Sequence, residues 1–267
     1  MNAPIEHQDI HLYKGIIMRF FIRAAVSAAA MATPALAGPV HVFGPGGPAP
    51  AMKEAAATYS KLRGVKVEVV AGPTSDWIDS ARQTGDVIYS GSETMMTDLQ
   101  VAMGDRIDPA TITPLYLRVS NILVRPGNPK KIRGLADLFR PGHRVLVVNG
   151  AGQNGLWEDM AGRTGDIAKV RALRSNIVGY AKNSAQAKQT WTTDTSLDAW
   201  IIWGIWQKAN ATLADSVSVE EPYRIYRDVG AGLTMTGKAN PDAVAFAAWL
   251  ASPAARAIFV KFGWKGS

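Results

Sequence analysis

Short apolar runs bounded by glycine and proline alternate along this chain with stretches whose apolar residues recur every three or four positions. The run at 40–43, "VHVF", is followed by Met52, Ala55, Ala56, Tyr59 and Leu62 at helical spacing, with Gly64 closing the pattern. "VKVEVVAG" reads as a second strand, and "PTSDWIDSARQTG" as a loop and short helix capped by Thr74, Ser75 or Asp76. "DVIYSGS" is a strand ending in small residues, with "ETMMTDLQVAMG" as its helix. The extended stretch "TPLYLRVSNILVRPGNPKK" is longer than one core strand needs. "HRVLVVNGAGQNGLWEDMAGRTG" then repeats the strand, glycine-rich turn and helix of the opening, and "EPYRIYRDVGAGLTM" is extended again. Two proline-started helices close the chain, capped by Asn240 and Ser252.

Such alternation predicts an α/β fold with parallel sheets and helical crossovers. Extended segments near 117–125 and 219–229 join two similar units, which predicts two lobes on a two-strand hinge with a cleft between them. The boundaries read as 38–120 plus 225–267 for lobe one and 121–224 for lobe two, with Arg118, Val119 and Ser120 at the hinge.

Composition narrows the function. Of 267 residues, 47% are hydrophobic and 19% charged, enough to build a real core. The net charge of +7 is scattered, with no run of five basic residues, so no nucleic-acid partner is expected and the charge suits anionic surroundings or an anionic ligand. Cysteine is absent and the four histidines are His7, His11, His41 and His143, which leaves little for a metal centre; no cofactor is expected. Residues 1–37 read as a leader: Met18 as the true start, Arg19 and Arg23, an apolar stretch over 24–32, then Ala35-Leu36-Ala37 as a cleavage site. The mature chain would begin at Gly38 in the periplasm and touch the membrane only through partners.

The candidate chemistry lies in four turns at the carboxyl ends of predicted strands: 44–49, 72–76, 90–92 and 150–155. Their donors are the amides of Gly46, Gly47 and Ala49, the hydroxyls of Thr74, Ser75, Ser90 and Ser92, and the side chains of Gln153 and Asn154. Any one such turn is ordinary connection chemistry, but four in two units predict a ligand cleft that favours oxygen acceptors. Trp77, Trp157 and Trp200 are candidates to wall it, while Trp203 and Trp206 read as core. Arg118 either neutralises an anion or pairs with a cleft acid. Catalysis is poorly served: "SGSE" is no nucleophile elbow, "TGKAN" is no phosphate loop, and Glu158 and Asp159 face different ways on one helix.

The stretches "VFGPGGPAPAMKEAA", "AGPTSDWIDSARQTGDVIYSGSETMMTD", "LYLRVSNILVRPGNPKKI", "VNGAGQNGLWEDMAG" and "LDAWIIWGIWQKAN" resemble the accessory colonization factor family of periplasmic solute-binding proteins across nearly all of 40–264. That family is similar, more distantly, to the molybdate- and sulfate-binding proteins of ABC importers. The resemblance implies a two-lobed type II periplasmic binding fold closing on a small anion, with contacts from Gly46, Gly47, Thr74, Ser75, Ala151, Gly152 and Gln153 and from the strand around Asp198 and Trp200. Where molybdate binders commonly place serine in the first turn, this chain has Gly47 and Pro48. That leaves a sulfate-like oxyanion or a carboxylate such as an acidic amino acid. The expected product is a monomeric, non-enzymatic carrier serving an ABC permease or a chemoreceptor. The alternatives are an exported interaction protein with a vestigial cleft, and an enzyme on the same fold using Glu158 or Asp198 with Arg118.

Overall fold

A computed structural model describes residues 38–150 and 152–266; the leader read over 1–37, and Ala151, lie outside them. The first half opens with β1 (Val40–Gly44), α1 (Ala49–Arg63), β2 (Val67–Ala71), α2 (Thr74–Thr84), β3 (Val87–Tyr89) and α3 (Glu93–Met103). A long strand, β4 (Thr113–Val124), leads to β5 (Val145–Val148), α4 (Leu156–Gly162), α5 (Ile167–Asn176), β6 (Ile177–Ala181), α6 (Ser184–Thr193), β7 (Ala199–Trp203), α7 (Ile205–Ala209) and β8 (Asp215–Ser218). The chain returns through β9 (Tyr226–Leu233) and ends in α8 (Met235–Ala239), α9 (Pro241–Trp249) and α10 (Pro253–Lys261).

One nine-stranded sheet runs β2-β1-β3-β9-β4-β7-β5-β6, with β8 also paired to β4. β2, β1 and β3 are mutually parallel, and so are β6, β5 and β7. β9 is antiparallel to both β3 and β4, so β4 runs with the first set. It then pairs antiparallel with β7, so the second set points back against the first. The carboxyl ends of all six parallel strands therefore converge on the middle of β4. The changeover is sharp: residues 113–119 pair with β9, and residues 120–124 with β7. At that point Val119 accepts from the Gly204 N–H at 2.9 Å, and Ser120 exchanges hydrogen bonds with Ile225, 2.8 Å through its amide and 3.0 Å through its hydroxyl.

Local chemistry explains most element ends. Gly64 takes the left-handed conformation (φ 71°) that ends α1, where a side chain would be strained. Ser92 caps α3 by accepting from Met95, and Asn240 and Ser252 cap α9 and α10 in the same way. Two expectations are corrected. The N-cap of α2 is Pro73, with no side-chain cap, so Thr74, Ser75 and Asp76 all lie inside the first turn. Leu62 is exposed rather than core, because α1 has turned its face outward by its last turn while Met52, Ala55, Ala56 and Tyr59 remain buried.

Candidate functional site

A cavity of about 100 Å³ lies where the six carboxyl ends meet. Its wall is built from Pro45–Pro48 after β1, Gly72–Thr74 after β2, Gly91 after β3, Gln153 after β5, Asn183–Ala185 after β6 and Trp206 after β7. Met95 and Arg118 complete it. Among the described residues, Arg118 is the one charged side chain that lines the cavity, and no carboxylate does.

Arg118 is 3% exposed. Its Nη2 donates to the carbonyl of Gly91 on the first half and, at 3.3 Å, to that of Gly152 on the second. Its guanidinium stacks 4.4 Å above Trp203 and 5.8 Å from Trp264. Burial pushes it down to about 9, with Asp228 pulling it up, so it stays protonated at neutral pH. Nε has no partner among the described residues. Nη1 makes no hydrogen bond among them either, and a Cβ added to Gly47 would stand only 3.4 Å from it. The bare glycine therefore keeps a space open against a cation.

Three helix N-termini supply the remaining donors. The amides of Gly46 and Gly47 donate to nothing among the described residues, and α2 and α6 leave first-turn amides free at Thr74 and at Ser184 and Ala185. Trp206 Nε1, buried and unpartnered, sits 3.7 Å from the same Gly47 Cβ position. Gln153 is 2% exposed; its Nε2 donates to Ser184 Oγ at 2.7 Å while its Oε1 has no partner among the described residues.

Of the residues expected to bind, the cavity brings together Gly46, Gly47, Thr74 and Gln153, and adds Arg118 from the hinge. The others are placed elsewhere. Ser75 is exposed and donates to Asp76, being turned about 100° from Thr74 on α2. Ser92 is spent as the α3 cap, and Ser90 is fully buried, its hydroxyl near Gly230 and Asp228 below the cavity. Gly152 serves indirectly, through its carbonyl on Arg118, at a φ of 71° that suits glycine. Asn154 points to solvent, and Trp157 packs half-buried against the core.

Asp198 is corrected outright. It precedes β7, at the amino end of a parallel strand, and accepts from the Arg144 amide at 2.9 Å with Lys130 at 3.8 Å. Five residues of strand, about 17 Å, separate it from the carboxyl end. The tryptophans are corrected too. Trp77 is buried and donates to Gly72 O at 3.2 Å, and so props the turn before α2 from beneath; Trp200 is core, 6.2 Å from Trp191. Trp206, read as core, is the aromatic that lines the cavity. Glu158 and Asp159 lie on the outer surface, where Asp159 pairs with Arg227 at 2.5 Å. Sequence reasoning missed Asn183 and Ser184, although "GYAKNSAQA" carries the same strand, small polar turn and helix as the turns it did read. Among the described residues no group of three or more His, Cys, Asp or Glu could hold a metal ion.

Comparison with known proteins matches this arrangement. No curated protein matches the sequence significantly. A sequence profile of the family described as bacterial extracellular solute-binding protein matches residues 40–265. Among solved structures, PEB3 from Campylobacter jejuni is 36% identical over 85% of this chain and all of its own, with a TM-score of 0.80. PEB3 bound to L-phospholactate matches at 35% identity, the same coverage and the same TM-score. The sulfate-binding protein SubI from Mycobacterium tuberculosis H37Rv (17% identity, TM-score 0.70, 85% of this chain and 86% of its own) shares the fold. So does the periplasmic molybdate-binding protein of Azotobacter vinelandii (17%, 0.63, 84% and 98%). The fold is thus the type II periplasmic binding fold that the glycine–proline and "GQNGLWEDM" stretches implied. The chain belongs to the bacterial extracellular solute-binding proteins.

Proposed function

We propose that this protein captures a small anion in the cavity around Arg118 and closes over it as a periplasmic carrier for an ABC permease or a chemoreceptor. The observation that carries this reading is the buried guanidinium with an open Nη1, facing free helix N-termini in a cavity that no acid among the described residues lines. Oxygen acceptors suit every one of these donors. The ligand class is a small oxyanion, a carboxylate or a molecule bearing both, as L-phospholactate does in PEB3. The halves 38–120 plus 225–267 and 121–224 act as the closing lobes, flexing where β4 changes partners at Val119 and Ser120. Binding rather than catalysis is the role that membership of a solute-binding family supports, and the described lining residues include no nucleophile paired with a base.

A thermal-shift screen of the purified protein against sulfate, molybdate, phosphate, phospholactate, dicarboxylates and acidic amino acids tests this. A ligand at a hundred times its dissociation constant adds about 2.7 kcal/mol, which for a domain of this size is roughly 5–10 °C. A cooperative melt that no anion moves would replace capture with the interaction-protein reading. Within the site, the Thr74 hydroxyl makes no hydrogen bond among the described residues and lines the cavity. Thr74→Ala is expected to weaken binding by about 1–3 kcal/mol with the ligand-free melt unchanged, as read by titration calorimetry.

A further inference from the structure

We infer that the face carrying Lys130, Lys131, Arg133 and Arg140 docks on a membrane surface rich in anionic phospholipid headgroups. This departs from the expectation that the chain meets the membrane only through partners, and it does not rest on the capture reading. The positive charge that reads as scattered along the chain gathers here, around an open groove of about 590 Å³. The groove lies at the amino ends of β5 and β7. Arg144 directly precedes β5, and Lys130 reaches Asp198, directly before β7, at 3.8 Å. The anion cavity is at the carboxyl ends of the same strands, so a surface met by this face does not cover it.

Acids are present but turned inward. Asp137, 13% exposed, accepts from the Arg133 amide at 2.8 Å, and Asp198, 12% exposed, from the Arg144 amide at 2.9 Å. Asp215 is taken by the Gly127 amide at 2.7 Å, and Asp194 faces Arg144 at 3.9 Å. The cations project instead: Lys130 is 51% exposed, Arg140 69% and Arg133 80%. Arg133 and Arg140 share the single carboxylate of Asp137, and Lys131 has no ionic partner among the described residues. The loop that presents them is pre-formed. Asn128 Nδ2 donates to Ile132 O at 2.8 Å, and its Oδ1 accepts from the Ile132 N–H at 3.0 Å, closing the loop over a buried Ile132. Lys131 sits inside that loop at a left-handed φ of 52°, a conformation a lysine keeps only where its surroundings hold it.

Magnitudes choose the occupant. Exposed cations hold one free phosphate weakly, because each such pair gains little in water. A charged bilayer presents many headgroups at once, and each basic residue beside it adds roughly fivefold. Among the described residues no Trp, Tyr, Phe or aliphatic side chain lines the groove. Base stacking and insertion between lipid tails are therefore not served, and headgroup electrostatics remains. A second copy of the chain is opposed by its own charge of +7.

The test is co-sedimentation of the full chain with vesicles of three parts phosphatidylcholine to one part phosphatidylglycerol, with phosphatidylcholine alone as the baseline. At about 50 mM salt the anionic vesicles are expected to bind roughly tenfold more tightly than neutral ones, and about 300 mM salt should remove the difference. Lys131→Glu with Arg133→Glu should weaken binding roughly tenfold or more. Lys53→Glu with Lys61→Glu, the same change of charge on exposed positions of α1, should weaken it less than about threefold. Lys131→Gln with Arg140→Gln stands in if the first variant does not melt cooperatively. Anionic vesicles bound no better than neutral ones would overturn the inference, and so would an equal loss in the α1 pair. Glycerol 1-phosphate or an oligoglutamate peptide that binds this face, without vesicle binding, would replace the membrane with a small phosphate or an acidic protein. Anion titrations of the Lys131 and Arg133 variant should match wild type, which separates this face from the capture site.

Discussion

Arg118→Met should reduce anion affinity by about 2–5 kcal/mol, or from about thirtyfold to several thousandfold. The guanidinium contributes charge-assisted hydrogen bonds worth about 1.5–3 kcal/mol each, and its loss leaves the bound anion buried without a counter-charge. Titration calorimetry reads the effect directly. Methionine keeps an apolar stem against Trp203 and Trp264, so the ligand-free protein should melt within a few degrees of wild type. Stability even gains from one source, because burial disfavours the charged guanidinium, pushing Arg118 down from its ordinary range, and methionine removes that cost. The lost bonds to Gly91 and Gly152 act in the opposite direction. Arg118→Lys should fall between: an ammonium keeps the charge but cannot reach both carbonyls and still present a second face to the ligand. A methionine variant that binds the same anion within threefold of wild type would show that the cation is a structural pin, and that the ligand sits elsewhere.

Arg118 also shows where the sequence stopped being readable. Its place on the hinge strand was legible, because the long extended run and its return segment are local features. Its burial was not. The side chain is enclosed by Trp203, Trp264 and the turns at Gly91 and Gly152, which come from four distant parts of the chain. The tryptophans failed for a related reason. Trp200, Trp203 and Trp206 share a three-residue spacing, yet the first two lie on a strand, where odd and even positions point to opposite faces. Trp203 therefore stacks on Arg118, while Trp200 turns into the other layer and meets Trp206 from α7 at 6.3 Å.

The strand-end turns were legible where glycine and proline marked them and silent where they did not. Gly46, Gly47, Thr74 and Gln153 were found because small residues, polar donors and a helix start coincide within a few positions. Asn183 and Ser184 follow β6, an edge strand with Val178 and Tyr180 exposed, whose apolar signal is weak. What the sequence could not say is which donors would be spent internally. Ser92 and Thr74 look alike in one dimension. Ser92 satisfies its own helix, whereas Pro73 takes the cap position of α2 and leaves Thr74 free.

Gly150→Ala should be the most destabilising small change in the second half, costing about 3 kcal/mol and lowering the melt by roughly 6–12 °C. A Cβ there would land on the carbonyl oxygen of Lys182 and 3.3 Å from its carbonyl carbon, and neither is a flexible side-chain end that could move aside. The two backbones are held at that distance by the Asn149 N–H, which donates to Ala181 O at 2.8 Å. Prising them apart separates the turn carrying Gln153 from the turn carrying Ser184, whose side chains meet at 2.7 Å across the same gap. Affinity should therefore fall together with stability, by tenfold or more, since a first-row displacement of one wall of a small cavity misplaces its donors. Gly46→Ala is the control, because its Cβ meets nothing within 4 Å and its melt should stay near wild type. Calorimetric melts and titrations of the two variants separate the cases. A Gly150→Ala protein that melts within about 2 °C of wild type and binds normally would mean that the turns are not locked to each other, and that the cavity wall tolerates the shift.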